Sequence, residues 1–196
     1  MWQTRGDDAG SLATEDIAMN QLIIDRTETS REDIGFAFGS FSLGTVLVAT
    51  SRDGVAAILI GDDRAALQRE LAQTFLQARL VTEATRLELI VTKIVAFLDA
   101  PQNGLDLPLD IRGSALQQAV WHALRDVPAG RTVTYGQIAK GLPLHATAQE
   151  VGAACAANVL AVAIPCHRVV KADGAISGYR WGVQRKRQLI RRELAR

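Results

Sequence analysis

The sequence predicts a two-part protein: a small α/β unit with an antiparallel sheet over residues 33–108, then a mainly α-helical unit with a helix-turn-helix over 109–196. Three observations carry this. Apolar runs broken by turn residues fill positions 36–60. Apolar residues then recur at helical spacing up to Leu98, before a Pro/Gly link at Pro101, Gly104 and Pro108. Beyond that link, three Ser/Thr-x-x-Gln/Glu boxes mark helix starts, because such a box satisfies the free amides of a first turn.

Residues 1–32 are polar and acidic without a sustained period, and read as a loosely packed extension. Phe36, Phe38 and Phe41, then Thr45 to Ala49, then Val55 to Ile60 read as three strands. Ser42-Leu43-Gly44 and Arg52-Asp53-Gly54 separate them, and Asp-Gly between apolar runs is a hairpin signal. Leu67, Leu71 and Phe75 mark a helix after Asp62-Asp63. A second helix places Leu87, Ile90, Val91, Ile94, Val95 and Leu98 on one face.

In the helical unit, Ser114 with Gln117 opens a helix carrying Leu116, Val120, Leu124 and Val127, which Pro128 and Gly130 stop. Thr134 with Gln137 opens a short helix to about Lys140. Gly141 and Pro143 break the chain, and Thr147 with Glu150 opens a helix to about Asn158. Two short helices around such a turn suggest a helix-turn-helix, although packing alone also produces the pair. Val151, Ala154 and Cys155 form the apolar stripe of the last helix, which assigns Cys155 to the core. Gln149, Gly152, Ala153 and Ala156 form a neighbouring face with almost no bulk, open to close approach by a helix or a nucleic-acid backbone.

Composition narrows the function classes. The chain is 48% hydrophobic and 22% charged, as a folded core requires. No apolar run nears the ~20 residues of a membrane span, and MWQTRGDDAG lacks the pattern of a signal peptide. The protein is therefore expected to be soluble and cytoplasmic, with no membrane partner. Two cysteines and three histidines, without CxxC or HExxH, argue against a metal site. No G-x-x-x-x-G-K-[ST] loop is present, and no cofactor is expected. The net charge of +1 hides an asymmetry: −4 over 1–32, −3 over 33–108 and +8 over 109–196. A basic half suggests a polyanion such as DNA or RNA, and equally a solvated basic helix at the end.

The stretch IPCHRVV, Ile164 to Val170, holds the one adjacent Cys-His pair, Cys166 and His167. A thiolate is the reactive form of cysteine, and an imidazole can take its proton. Neighbours on a strand point to opposite faces, so the pair needs a local turn or a bridging water, and Pro165 makes a turn plausible. The alternative is a buried structural cysteine beside an incidental histidine. Glu193, at the edge of the apolar stripe of the last helix, is a third member that would orient His167. It is equally placed for a surface pair with an arginine. His122 reads as a partly exposed helix position, and His145 as a turn position open to solvent or to DNA.

PCHRV, preceded by Asn158, followed by GYRWG (Gly178 to Gly182), and joined by LPLDIRGSALQQAVWHALRDVPAGRTVTYGQIA, resembles the O6-alkylguanine-DNA alkyltransferase family. From about Gly35 on, the chain is most similar to the C-terminal repair domain of the bacterial adaptive-response, Ada-type, methyltransferases. The resemblance implies a ribonuclease H-like first domain and a winged-helix-like second one. It also implies a monomer acting on alkylated double-stranded DNA, in which Cys166 accepts the alkyl group from O6 of guanine once and permanently. The resemblance leaves open whether O4 of thymine is a further alkyl donor. By the same resemblance, His167 takes the thiol proton through a water with Glu193 behind it, Asn158 ties the helices to the active-site turn, and Tyr135 serves the leaving guanine. Val169, Tyr179, Arg180 and Trp181 would shape the base site. Thr134, Gln149, Gly152, Ala153 and Ala156 would meet the DNA, whose damaged nucleotide is flipped out. The cysteine-rich zinc module of the adaptive-response regulators is not among these residues, so a repair protein is expected and not that activator.

The chain departs from the family at Gln149 and Glu150, and the turn before them, Gly141 to His145, lacks the basic residues usual there. The family's second helix carries R-A-V-G, and here the run is Gln149-Glu150-Val151-Gly152. Losing a cation from a phosphate interface weakens binding and its salt dependence. An alkyltransferase-like lesion binder with weakened duplex repair is therefore the alternative function, and a thiol hydrolase of another fold is a more distant one.

Overall fold

A computed structural model describes residues 31–194. The extension expected over 1–32 lies outside the described residues except for Arg31 and Glu32. The first half is built from β1 (Asp33–Phe41), β2 (Gly44–Thr50), β3 (Val55–Gly61), α1 (Arg64–Thr74), β4 (Arg79–Thr82) and α2 (Ala84–Asp99). The three sequence-legible strands form antiparallel hairpins, β1 with β2 and β2 with β3. Gly54 closes the second turn at φ +144°, where a Cβ would stand 2.5 Å from the Pro108 carbonyl oxygen, so only glycine fits.

The expected antiparallel sheet is corrected to a mixed one. Its order is β3-β2-β1-β4, and β4 runs parallel to β1. The physical reason is the connection: α1 carries the chain across the sheet to its far edge, and such a crossover returns the next strand in parallel. At four residues, with Arg79 and Thr82 exposed, β4 is too short to display a period.

The second half holds α3 (Ala115–Arg125), β5 (Val133–Thr134), α4 (Tyr135–Gly141), α5 (Ala148–Ala157), a 3₁₀ turn (Cys166–Arg168), β6 (Val169–Val170) and α6 (Val183–Leu194). All three capping boxes are formed. The Trp121 indole N–H donates to the Ala154 carbonyl at 2.9 Å, fastening α3 to α5. Among the described residues no helix is long and apolar enough to cross a membrane.

The halves share one buried cluster, running from Ile34 of β1 to Leu189 of α6. They also share a sheet edge. Ile58 donates to the Val159 carbonyl and accepts from the Ala161 amide, both at 2.9 Å. Val55 makes the same pair of bonds to Pro108 and Asp110. The exposed edge of β3 is thereby covered, and the segment leading into the Cys-His turn is anchored on it.

Ion pairs join the basic second half to the acidic first half. Arg180 meets Glu70 (2.9 Å), Arg185 meets Asp62 (2.5 Å) and Arg192 meets Asp99 (3.3 Å). Several C-terminal cations thus hold the acidic first half instead of facing solvent.

Candidate active site

The site begins with the backbone between α5 and the 3₁₀ turn. Ala163 N–H donates to Ala161 C=O at 2.7 Å across Val162, whose φ of +65° is a strained region for a β-branched residue. Cys166 N–H donates to Ile164 C=O at 2.8 Å across Pro165 (φ −81°, ψ 57°). These are γ-turns of opposite hand. They supply the local turn that an adjacent Cys-His pair requires.

Asn158 holds them. It is fully buried at the end of α5, and its Oδ1 accepts from the Leu160 amide at 2.8 Å. Its Nδ2 donates to Ile164 C=O (3.0 Å) and to the Cys166 sulfur (3.3 Å). Cys166 is buried beside the Cys155 thiol. Burial, then the Cys155 sulfur, pushes the Cys166 thiol well up, while the Asn158 amide and the Lys186 charge oppose this. At rest the group is a thiol that needs a base.

His167 follows Cys166 in the 3₁₀ turn. His167 is fully buried, and its Nε2–H donates to Glu193 Oε1 at 2.7 Å. Arg168 donates to both Glu193 oxygens at 2.9–3.2 Å, and the Gly130 amide adds a bond at 3.2 Å. Burial alone would raise the Glu193 carboxyl, but the His167 and Arg168 bonds bring it down to about 2. Burial pulls His167 below its ordinary value despite the carboxylate. The pair is therefore a neutral imidazole on an ionised carboxylate. With its proton on Nε2, the ring keeps a lone pair on Nδ1, which is buried and has no hydrogen-bond partner. Glu193 does pair with an arginine, but it is buried rather than on the surface, and the same carboxylate meets His167.

Tyr135, at the start of α4, places its hydroxyl 2.6 Å from Ser177 Oγ. Burial raises its phenol, so it is protonated at neutral pH. A cavity of about 340 Å³ lies over the sulfur, lined by Tyr135, Gly152, Cys155, Ala156, Cys166, Gly178, Tyr179 and Arg180. That volume is within the usual range for small-molecule sites.

The remaining sequence-selected residues divide. Gly152, Ala156, Tyr179 and Arg180 line the cavity. Gln149 and Ala153 are exposed on α5. Thr134 caps α4, with its side chain accepting from Gln137 N–H. Val169 and Trp181 are buried and do not line the cavity, and Trp181 packs edge-on against Tyr179 at 5.2 Å. The Arg180 guanidinium is engaged by Glu70 and by the Ala156 carbonyl (2.8 Å), which pins the loop that closes the cavity. Cys155 is buried as expected, yet it also faces the cavity beside Cys166, so it is not simply core.

Sequence reasoning missed Arg168, Ser177 and Lys186. Lys186 is fully buried and donates to Val169 C=O (2.5 Å), Ser177 Oγ (2.8 Å) and Gly178 C=O (3.3 Å). Its signal was available, because Lys186, Leu189 and Glu193 fall at i, i+3 and i+7 on one face of α6. Among the described residues, no group of His, Cys, Asp and Glu is arranged to hold a metal ion.

The sequence profile described as "6-O-methylguanine DNA methyltransferase, DNA binding domain" matches residues 115–195. The chain is 49% identical over 160 residues to the Escherichia coli "Bifunctional transcriptional activator/DNA repair enzyme Ada", covering 82% of this chain and 45% of that protein. It is 40% identical over 106 residues to a Mycobacterium bovis "Methylated-DNA--protein-cysteine methyltransferase", covering 54% of this chain and 64% of that one. The chain thus spans about half the length of the first curated relatives it matches. The crystal structure of Mycobacterium tuberculosis OGT in complex with DNA superposes with a TM-score of 0.67 at 27% identity, covering 83% of this chain and 93% of that one. On these grounds the chain belongs to the O6-alkylguanine-DNA alkyltransferase family, as a relative of Ada.

Proposed function

We propose that this chain repairs DNA by transferring an alkyl group from O6 of guanine to Cys166, once per molecule. One observation carries the reading: a buried thiol under a base-sized cavity, next to a neutral imidazole held by an ionised carboxylate. His167 Nδ1 takes the thiol proton through a bridging water, which suits its unpartnered lone pair. The sulfur then attacks the alkyl carbon. The S–C bond forms as the C–O6 bond breaks, and guanine leaves with a proton from Tyr135 at N3. A thioether has no easy hydrolysis route, so the protein is consumed.

Asn158 fixes the thiol. The Cys166 and Val169 backbones read the exocyclic amine, Tyr179 and the Arg180 amide flank the base, and Trp181 supports Tyr179. A base stacked in a duplex cannot reach a buried sulfur, so the nucleotide is flipped, at a cost of about a few kcal/mol. We read α4 and α5 as the helix-turn-helix of a winged-helix-like domain over 109–196. It meets the minor groove through Thr134, Gly152, Ala153 and Ala156, with Gln149 filling the place of the flipped base. Residues 33–108 then form a ribonuclease H-like domain, and the protein works in the cytoplasm as a monomer. O4-alkylthymine is a second donor for the same attack.

The test uses duplex oligonucleotide carrying radiolabelled O6-methylguanine. Label should move to protein until one equivalent is reached, and Cys166→Ala should take up none. Continued turnover points to a hydrolase, and tight binding without transfer to a lesion sensor; either defeats the proposal.

A further inference from the structure

Besides Cys155, the cluster under the cavity contains a buried group that the reaction above leaves unused, Lys186. We propose that Lys186, acting through the Ser177 hydroxyl, turns the Tyr135 proton into the cavity and replaces that proton as guanine leaves. This rests on the alkyl-transfer reading and extends it.

The argument is one of hydrogen-bond direction. An ammonium has three N–H donors and no acceptor. Those of Lys186 meet Val169 C=O, Ser177 Oγ and Gly178 C=O. Ser177 Oγ therefore accepts from Lys186, and its single proton must go elsewhere. The 2.6 Å contact between Tyr135 Oη and Ser177 Oγ fits either donor, and Val169 C=O, the other acceptor at 3.4 Å, already takes a Lys186 proton at 2.5 Å, so the Ser177 proton is assigned to Tyr135. Tyr135 Oη then accepts, which leaves its own O–H free to donate into the cavity it lines. A neutral amine reverses the chain. Its lone pair accepts from Ser177, Ser177 accepts from Tyr135, and the phenol proton turns away from the base.

Lys186 has surroundings suited to giving up a proton. Burial pulls it down to about 8, and Cys155 and Cys166 oppose this when ionised. The titratable groups facing it are Cys155 on α5, Cys166 and His167 in the 3₁₀ turn, and Tyr135 across Ser177. Among the described residues it has no carboxylate partner. A Cys166 thiolate favours the ammonium, and the neutral thioether does not. Alkylation thus weakens the hold on the Lys186 proton at the step that needs it. The balance closes: guanine takes the Tyr135 proton, Tyr135 takes that of Ser177, Ser177 takes one from Lys186, and Lys186 ends neutral. Thiolate and ammonium charges disappear together.

The experiment measures second-order alkyl transfer from free O6-benzylguanine, by intact-protein mass, for the unaltered chain, Ser177→Ala, Ser177→Thr, Tyr135→Phe and Ser177→Ala/Tyr135→Phe. Ser177→Ala should slow transfer roughly three- to tenfold at neutral pH, the weight of one hydrogen bond. Ser177→Thr, which keeps the hydroxyl, should restore most of it. The ratio of unaltered to Ser177→Ala rates should fall toward unity as pH rises through about 8. This ratio cancels the titration of Cys166 and His167. The double variant should be no slower than Tyr135→Phe alone. Additive losses, or a ratio that ignores pH, overturn the relay and leave alkyl transfer intact. No transfer by the unaltered chain overturns both.

Discussion

Replacing Asn158 by alanine removes the side chain that holds the Cys166 turn, and the cost can be worked group by group. The Leu160 amide loses its acceptor, the Asn158 Oδ1 at 2.8 Å, and Leu160 is 2% exposed. An unsatisfied buried N–H costs about 1–3 kcal/mol. The Ile164 carbonyl loses one bond of 3.0 Å but still accepts from Cys166 N–H, so that loss is only about 1 kcal/mol. Leu160 C=O likewise keeps its bond from Ile164 N–H. The sum is roughly 3 kcal/mol, which for a chain of this length lowers the melting temperature by roughly 6–12 °C. The strain at Val162 can then relax, and a misplacement of the sulfur by ~1 Å slows transfer about a hundredfold. Thermal unfolding followed by circular dichroism gives the first quantity, and alkyl-transfer rates well below the transition give the second. A melting temperature within about 2 °C of the parent refutes the structural account. A parental rate in a folded variant refutes the positioning role.

Other expectations follow from the same geometry. The Glu193 carboxyl lies at about 2 when folded against 4.5 ordinarily, so its stabilisation is complete above about 4.5 and is lost as pH falls toward about 2. Glu193→Gln should flatten that part of the acid-denaturation curve and leave Arg168 buried without its counter-charge, a loss of about 3–5 kcal/mol. Denaturant midpoints across this pH range decide it, and parallel curves for parent and variant contradict it. Gln149 is exposed on α5, so Gln149→Arg should steepen the salt dependence of duplex binding by about one unit of log–log slope. Its rate with a free-base substrate should not change; equal gains with both substrates would place Gln149 in the chemistry instead.

What the sequence displayed was local. The three strands, the capping boxes at Ser114, Thr134 and Thr147, and the Cys-His turn each rest on neighbours within a few residues, and each is formed. Strand β4 escaped because its definition is its pairing with β1, some 46 residues away, and Arg-Leu-Val-Thr has no period of its own. Lys186 sits in a run of basic helix residues whose composition points to solvent, although its spacing from Leu189 and Glu193 marks it as inward. Part of the charge asymmetry is paired within the fold. Its ion pairs join residues 93 to 123 positions apart, and no local pattern reports them. Glu193 was legible as a partner of His167, but its simultaneous hold on Arg168 needed the fold.

The central claim is that Cys166, and not the neighbouring Cys155 thiol in the same cavity, accepts the alkyl group. Peptide mass spectrometry after exposure to an O6-methylguanine oligonucleotide tests it directly. The account predicts a single added methylene on the peptide bearing Cys166 and none on Cys155, with the modified protein inert to fresh substrate. Modification of Cys155, or unmodified protein alongside repaired DNA, would contradict it.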